Sequence, residues 1–237
     1  MPTNLSALSY NRLLAALPSQ DQQRFLARCE RVELKFSDVL SEPGAYIRHV
    51  YFPLESFISL LASMDGHPTL EVGLIGNEGM LGASLALGVK ISPLHALVQG
   101  QGSVLRMTAE VFCEELQQST ALQHILQRYL YVIIKQLAQT ATCSRFHVIE
   151  ARLARWLLMT QDRAHSNTFH ITQKFMAYML GVRRVGVTTA ATTLQNHKLI
   201  RYSRGDITIL DRKGLKMVAC QCYEADKDSY SSIMNTI

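Results

Sequence analysis

Apolar positions change their period along this chain. From about Asn11 to Glu30 they fall at helical spacing, with Leu13, Leu14, Leu17, Phe25 and Leu26 on one side. From Val32 to Met107 the pattern shortens into apolar or alternating runs: Val39-Leu40, Tyr46 to Phe52, Phe57 to Ala62, Leu70 to Ile75, Ala96 to Gln99 and Val104 to Met107. Pro43-Gly44, Asp65-Gly66, Gly76-Asn77 and Gly100-Gln101-Gly102 divide them. Many short strands spaced this way predict an antiparallel barrel or double-sheet roll. Thr108 to Phe112 starts a return to helix. From about Ser119 to Ser144, Leu122, Leu126, Tyr129, Ile133, Gln136, Leu137 and Thr140 recur every three or four residues. A stripe with this heptad-like spacing packs either on the chain's own roll or on a second copy of the chain.

Phe146 to Asp162 reads as a further helix with Leu153, Trp156, Leu157 and Leu158 buried, followed by a loop at 164–168 and a short strand over Thr168 to Ile171. Ile171 to Asp211 carries the most information. Thr172 is placed to N-cap a short helix whose apolar face is Phe175, Met176, Met179 and Leu180, and Gly181 stands where a left-handed residue stops it. A longer helix follows, with Val182, Val185, Ala190, Ala191 and Leu194 expected inward. Arg204-Gly205-Asp206 then turns between Ile200-Arg201-Tyr202 and Ile207-Thr208-Ile209-Leu210. Helix, turn, helix and hairpin in that order predict a winged helix-turn-helix, whose second helix has the width of the DNA major groove. Asp211 to Cys222 is expected as a last helix capped by Asp211, and the polar tail from Glu224 as mobile.

The fold class expected is therefore α+β. Residues 1–118 are expected as a β-roll domain with flanking helices, 119–144 as a long amphipathic helix, and 145–237 as the winged domain with its C-terminal helix and tail.

Charge supports this division. Of the 237 residues, those from Ser144 onward hold 14 Lys and Arg against 7 Asp and Glu, a balance of +7, while Met1 to Cys143 hold 10 against 12, a balance of −2. A basic excess beside a helix-turn-helix is the footprint a phosphate backbone requires. No run approaches the roughly 18 apolar residues of a membrane span, and the first residues lack the basic flank and apolar stretch of an export signal. A cytoplasmic protein with no membrane role is expected. The five cysteines, Cys29, Cys113, Cys143, Cys220 and Cys222, are scattered and odd in number, so they predict no secreted disulfide framework. Cys220-Gln221-Cys222 reads as a redox or metal pair or as ordinary packing. Two ligands do not complete a tetrahedral site, so neither metal nor cofactor is expected.

Ile171-Thr172 opening the first helix, Leu180-Gly181-Val182 at the turn, Arg184, and Leu194 to Ile200 leading into the wing resemble the Crp/Fnr family of bacterial transcription regulators. In layout the resemblance covers nearly the whole chain; its motifs are specific in the last third. It implies a β-roll sensor domain of the cyclic-nucleotide-binding type (a jelly roll) and a homodimer joined along the long helix through Leu122, Leu126, Tyr129, Ile133, Leu137 and Thr140. It also implies an inverted-repeat DNA target, with RNA polymerase as a possible further partner. Where the family's recognition helix begins S-R-E-T-V-G-R, this chain has Arg183-Arg184-Val185-Gly186-Val187-Thr188-Thr189. Arg184 is the expected base reader, its planar fork matching guanine O6 and N7; it also reads as another phosphate clamp. Val185 replaces a cytosine-reading Glu and can meet a thymine methyl, and Thr189 replaces a second guanine-reading Arg, so the half-site should differ from the family's usual one. Thr172, Gln173, Lys174, Arg183, Gly186, Thr188, Arg201, Ser203 and Arg204 are expected at phosphates. Gly186 is expected to let the backbone come close.

In cyclic-AMP-binding members of the family, a Gly-Glu pair holds the ribose and an Arg-Ser pair the cyclic phosphate. Here Gly82 is followed by Ala83, and no arginine lies between Arg48 and Arg106. A buried phosphate would lack its charge-assisted partner, so ordinary cyclic AMP is not the expected effector. Gly76, Glu78, Gly79, Gly82 and Tyr129 mark a weak candidate pocket for another small molecule or nucleotide, though the turns of a β-roll require such glycines equally. The cysteine grouping that holds an iron–sulfur cluster in Fnr-type relatives is absent, since Cys29 is the only cysteine in the first hundred residues.

Two alternatives stay open at this level. One is a metal-dependent β-roll enzyme, which needs clustered ligands; His49, His67 and His95 stand apart, and no nucleophile elbow, P-loop or dinucleotide fingerprint occurs. The other is a winged helix used as a protein-interaction module, which predicts no duplex binding at low salt.

Overall fold

The computed structural model describes residues 11–64 and 69–234. The chain's first residues and the expected Asp65-Gly66 break lie outside them. Among the described residues two compact units are distinguished: one holds 11–60, 74–134 and 233–234, the other 61–64, 69–73 and 135–232.

The first unit opens with two helices where the pattern predicts one. α1 (Arg12–Ala15) ends before Pro18, and α2 (Ser19–Ala27) starts after it. Proline lacks the N–H that would bond back along the helix and its ring clashes with the preceding turn. Glu30 does not prolong α2 but opens β1 (Glu30–Leu34), a strand the sequence reading lacks because only Leu34 of its five residues is buried. The strands β2 (Val39–Ser41), β3 (His49–Pro53), β4 (Phe57–Ala62), β5 (Leu70–Ile75), β6 (His95–Gly100) and β7 (Gly102–Thr108) follow the expected runs. They form one sheet of order β1-β7-β3 and another of order β2-β6-β4-β5, with a short 3₁₀ helix over Ala83–Leu87. Leu34, Tyr51 and Val104 from the first sheet meet Ile58, Ile75, Ala96 and Val98 from the second, and this is the core of the roll.

α3 (Ala109–Gln118) is capped by the Thr108 hydroxyl, which accepts from Val111 N. It brings Phe112 to 6.4 Å, between ring centroids, from both Phe25 and Phe52, which are themselves 5.3 Å apart. It also buries Glu115, whose two oxygens accept from Arg24 Nε at 2.9 Å and Arg28 Nη1 at 2.8 Å. Burial alone pushes this carboxyl up, but the hydrogen bonds from Arg28 and Arg24 outweigh it and hold the group below the ordinary glutamate range. A lowered folded value means the pair stabilises fully above the ordinary glutamate pKa and stops doing so as pH falls through the folded one. Glu115→Gln should therefore cost about 2–3 kcal/mol at pH 7, discounted for the partial exposure of both arginines. Urea melts at pH 7 and pH 3 check it, since the difference between the two proteins should shrink in acid.

α4 (Thr120–Phe146) is the long helix. Its expected seam is corrected at its N-terminal end: Leu122, Leu126 and Tyr129 are buried within the chain itself, so they are core. Ile133 and Thr140 are half-buried. Along its middle α4 leaves Tyr131 (54% exposed), Ile134 (62%) and Leu137 in water, with Ala138 and Ala141 beside them, and Phe146 (73%) is exposed at its end. Tyr129 instead turns into the roll, where its hydroxyl accepts from Met80 N at 3.1 Å.

In the second unit, α5 (Ile149–Ala164) buries Leu153, Trp156, Leu157 and Leu158 as expected. It is followed by β8 (Thr168–His170), α6 (Gln173–Leu180), α7 (Arg184–Asn196), β9 (Ile200–Ser203), β10 (Asp206–Ile209), α8 (Arg212–Val218) and α9 (Cys222–Met234). The expected mobile tail is thus corrected to a helix, α9, that buries Cys222, Tyr223, Tyr230 and Met234 and pairs Asp226 with Arg155 of α5. No helix of the described residues is long and apolar enough to cross a membrane.

Candidate nucleic-acid interface

Local chemistry positions α6 and α7. The Thr172 hydroxyl accepts from Phe175 N at 3.2 Å and starts α6. Gly181, at φ 63°, ends it in the left-handed conformation that glycine adopts without strain. A guanidinium of α5, Arg152 Nη2, donates to the carbonyl of Leu180 and satisfies the end of α6. α7 then buries Val187, Ala190, Ala191 and Leu194. One expectation is corrected here. Val185 does not face inward; it is 70% exposed, and Val187, two residues on, fills the core. Val182 sits half-buried in the turn before α7.

The outward face of α7 carries Arg184, Val185 and Thr189 together, all exposed. Arg183 stands at the N-cap with its side chain in water and forms no capping bond. The threonines are less free than their number implies. Thr189 and Thr193 donate to the carbonyls of Val185 and Thr189, and Thr192 to that of Thr188. Thr188 donates to Gln173 Oε1 at 2.9 Å and so ties α7 to α6. Gly186 packs close to α5. Its N–H donates to Arg183 O at 3.0 Å, and a Cβ there would lie 2.7 Å from Ile149 Cδ1. A side chain at 186 would press on the end of Ile149 where α7 packs on α5.

The wing is a three-stranded sheet of order β8-β10-β9. Arg204 (φ 52°) and Gly205 (φ 92°) form its two-residue turn, both left-handed as the twist of a tight hairpin requires. Gly205 O accepts from Ile171 N at 2.6 Å, and His170 Nδ1 lies 2.8 Å from Asp206 Oδ1, which pins the turn to the strand that enters α6. Arg201, Ser203 and Arg204 are exposed, as are Thr172 and Lys174 at the start of α6. Among the described residues, none of Lys174, Arg183, Arg184, Arg201 and Arg204 is held in an ion pair. These five unneutralised cations lie on the start of α6, the turn, the start of α7 and the wing of one unit.

The weak effector residues sit in the other unit. Glu78 Oε1 accepts from Gly76 N at 3.2 Å. Gly82 takes φ 95°, and a Cβ on Gly79 would fall 2.1 Å from Tyr129 Oη. Tyr129 therefore covers the glycine turn directly, and the glycine at 79 is explained by that close approach.

Residues 151–218 match the Crp-like helix-turn-helix domain. No curated protein matches the sequence. Solved structures share the fold at low identity. A regulator from Eubacterium rectale assigned to the Crp/Fnr family is 16% identical with TM-score 0.70, over 89% of this chain and 98% of that one. FixK2 from Bradyrhizobium japonicum is 11% identical with TM-score 0.68, over 81% and 98%. The c-di-GMP-responsive global regulator CLP of Xanthomonas campestris is 16% identical with TM-score 0.66, over 82% and 100%. Residues 151–218 are thus a Crp-like helix-turn-helix domain, carried on a chain that shares the fold of these regulators.

Proposed function

We propose that this protein is a transcription regulator of Crp/Fnr type that acts in the cytoplasm as a homodimer, joined along α4, and sets two copies of α7 into successive major grooves of an inverted repeat. The observation that carries the reading is the outward face of α7, where Arg184, Val185 and Thr189 stand together in water with no ion pair to hold the arginine. Arg184 reads a guanine, Val185 meets a thymine methyl and Thr189 makes a shorter, less demanding contact. Thr172, Gln173, Lys174, Arg183, Thr188, Arg201, Ser203 and Arg204 hold the phosphates and set the register. Half-sites lie about 34 Å apart, one turn of duplex. RNA polymerase is the partner expected once DNA is bound.

The roll is a sensor domain that does not take ordinary cyclic AMP. Its glycine turn carries neither a ribose-holding carboxylate after Gly82 nor an arginine for the phosphate, and Tyr129 already packs on Gly79. Another small molecule or a dinucleotide, the class to which CLP responds, is the effector to test.

Footprinting of genomic fragments with and without cyclic mononucleotides and c-di-GMP tests both halves. The expected result is a protected inverted repeat whose affinity ignores cyclic AMP. With three to five phosphate contacts per protomer, affinity should fall about 10³-fold or more between 50 and 200 mM salt. A protein that ignores duplex DNA even at 50 mM salt, with every nucleotide tried, is a protein-interaction module instead.

A further inference from the structure

Four side chains of the winged unit converge without any part in reading DNA. Cys143 lies in the last turn of α4, and His147 follows one turn later, its N–H donating to Cys143 O at 3.1 Å. That i, i+4 spacing sets both side chains on one face. Cys220 lies in the link between α8 and α9, and Cys222 opens α9. Fold topology brings the pairs together from far apart in sequence. Their ligand atoms, three sulfurs and one imidazole nitrogen, all lie within 4.8 Å of one another. The Cys143 and Cys220 sulfurs are 3.5 Å apart, and Cys222 Sγ is 3.5 Å from His147 Nδ1.

We propose that Cys143, His147, Cys220 and Cys222 bind a structural zinc ion that ties the end of α4 to the link between α8 and α9. Zinc at about 2.3 Å from sulfur and 2.0–2.1 Å from nitrogen forms a tetrahedron with edges of about 3.6–3.8 Å. The two short distances differ from those edges by only a few tenths of an ångström. Three thiolates and an imidazole fill all four positions, which is the closed set of a structural site and leaves none open for substrate. The soft sulfur donors select against magnesium and calcium. An iron–sulfur cluster needs its ligands spread around two or more irons, wider than this group allows.

The surroundings suit thiolates. Gln139 Nε2 donates to Cys222 Sγ at 2.8 Å. Arg152 and Arg155 act electrostatically on Cys143 and Cys220. Zinc binding by three thiols releases their protons and leaves a net charge of −1, which these guanidinium groups offset. All three sulfurs are buried and His147 is half-buried, so the site is shielded from exchange with water. An oily core of small side chains has no use for an imidazole among three thiols, or for an amide donor aimed at one of them.

The test uses the full chain, reduced, incubated with zinc, freed of excess metal and analysed by plasma mass spectrometry. One zinc per chain is expected, released in step with titration of the thiols. Cys222→Ser and His147→Ala should weaken zinc retention about 100-fold or more, whereas His147→Cys, which restores a fourth ligand, should keep it. Because a ligand variant can misfold, cobalt is also loaded into the unaltered chain, where thiolate-to-cobalt charge transfer and intense tetrahedral bands are expected. Reduced protein that holds no zinc and gives no such cobalt spectrum overturns the site. So does a Cys143–Cys220 disulfide in anaerobically isolated protein, or the visible absorption of an iron–sulfur cluster.

Discussion

Replacing Ile134 by glutamate should leave a folded monomer that binds DNA at least 100-fold more weakly than the unaltered protein. Ile134 is 62% exposed and lies one turn from Tyr131 and Leu137 along α4, with Ala138 and Ala141 continuing the stripe. A two-fold dimer buries the same stripe on both chains. Each isoleucine removed from water contributes about 1.5–3 kcal/mol, and each glutamate introduced brings a carboxylate toward its symmetry mate. Losing two isoleucines weakens the dimer by on the order of 5 kcal/mol, or about 10³–10⁴-fold. DNA binding falls with it, because one α7 alone forfeits the effective concentration that a second half-site supplies, about 10²–10⁴-fold. Sedimentation velocity at micromolar concentration and a gel shift on the footprinted repeat measure the two effects, with circular dichroism to show that the fold is kept. Leu126→Glu is the contrasting variant. Leu126 is fully buried in its own chain, so that change should unfold the protein rather than split a dimer. If Ile134→Glu stays dimeric, the copies meet through another face.

The pair of variants shows where the sequence stops being legible. Period alone announces α4 and an apolar stripe every three or four residues. It does not say which stripe turns into the chain's own roll, because both faces carry apolar residues. The hydroxyl of Tyr129, bonded to Met80 N, decides it, and no local pattern contains that bond. The same limit applies to α7, where Val185 and Val187 are alike in composition. Only the tertiary packing of α7, which buries Val187 and leaves Val185 in water, tells the two apart. The helix-turn-helix and wing are legible because their chemistry is local: a threonine cap, a left-handed glycine, a two-residue turn. α9 is hidden for the opposite reason. Its buried face runs Tyr223, Asp226, Tyr230, Met234, and the Asp226 carboxylate, paired with Arg155 of α5, breaks the apolar pattern. Cys220 and Cys222 read as half a metal site because the other half, Cys143 and His147, lies at the end of α4, more than seventy residues earlier.

Arg184→Ala should lose 1–3 kcal/mol of affinity for the native repeat, about 10–100-fold, and flatten preference at one base pair in each half-site. Arg184 is the first residue of α7, exposed, and free of any ion pair among the described residues. Nothing in the folded chain depends on its guanidinium, so the loss reports DNA contact rather than stability. The contrast lies with the phosphate-facing cations. Lys174→Ala and Arg201→Ala should weaken every sequence by a similar factor and each reduce the salt slope by about 1. Arg184→Lys separates charge from shape: it keeps the cation but loses the planar fork, so non-specific binding should survive while the guanine preference falls. Selection from a randomised half-site, read for all four proteins at one fixed salt, measures this. If Arg184→Ala weakens all sequences equally and leaves the selected motif unchanged, Arg184 is a phosphate clamp, and the reading of the groove passes to Val185 and Thr189.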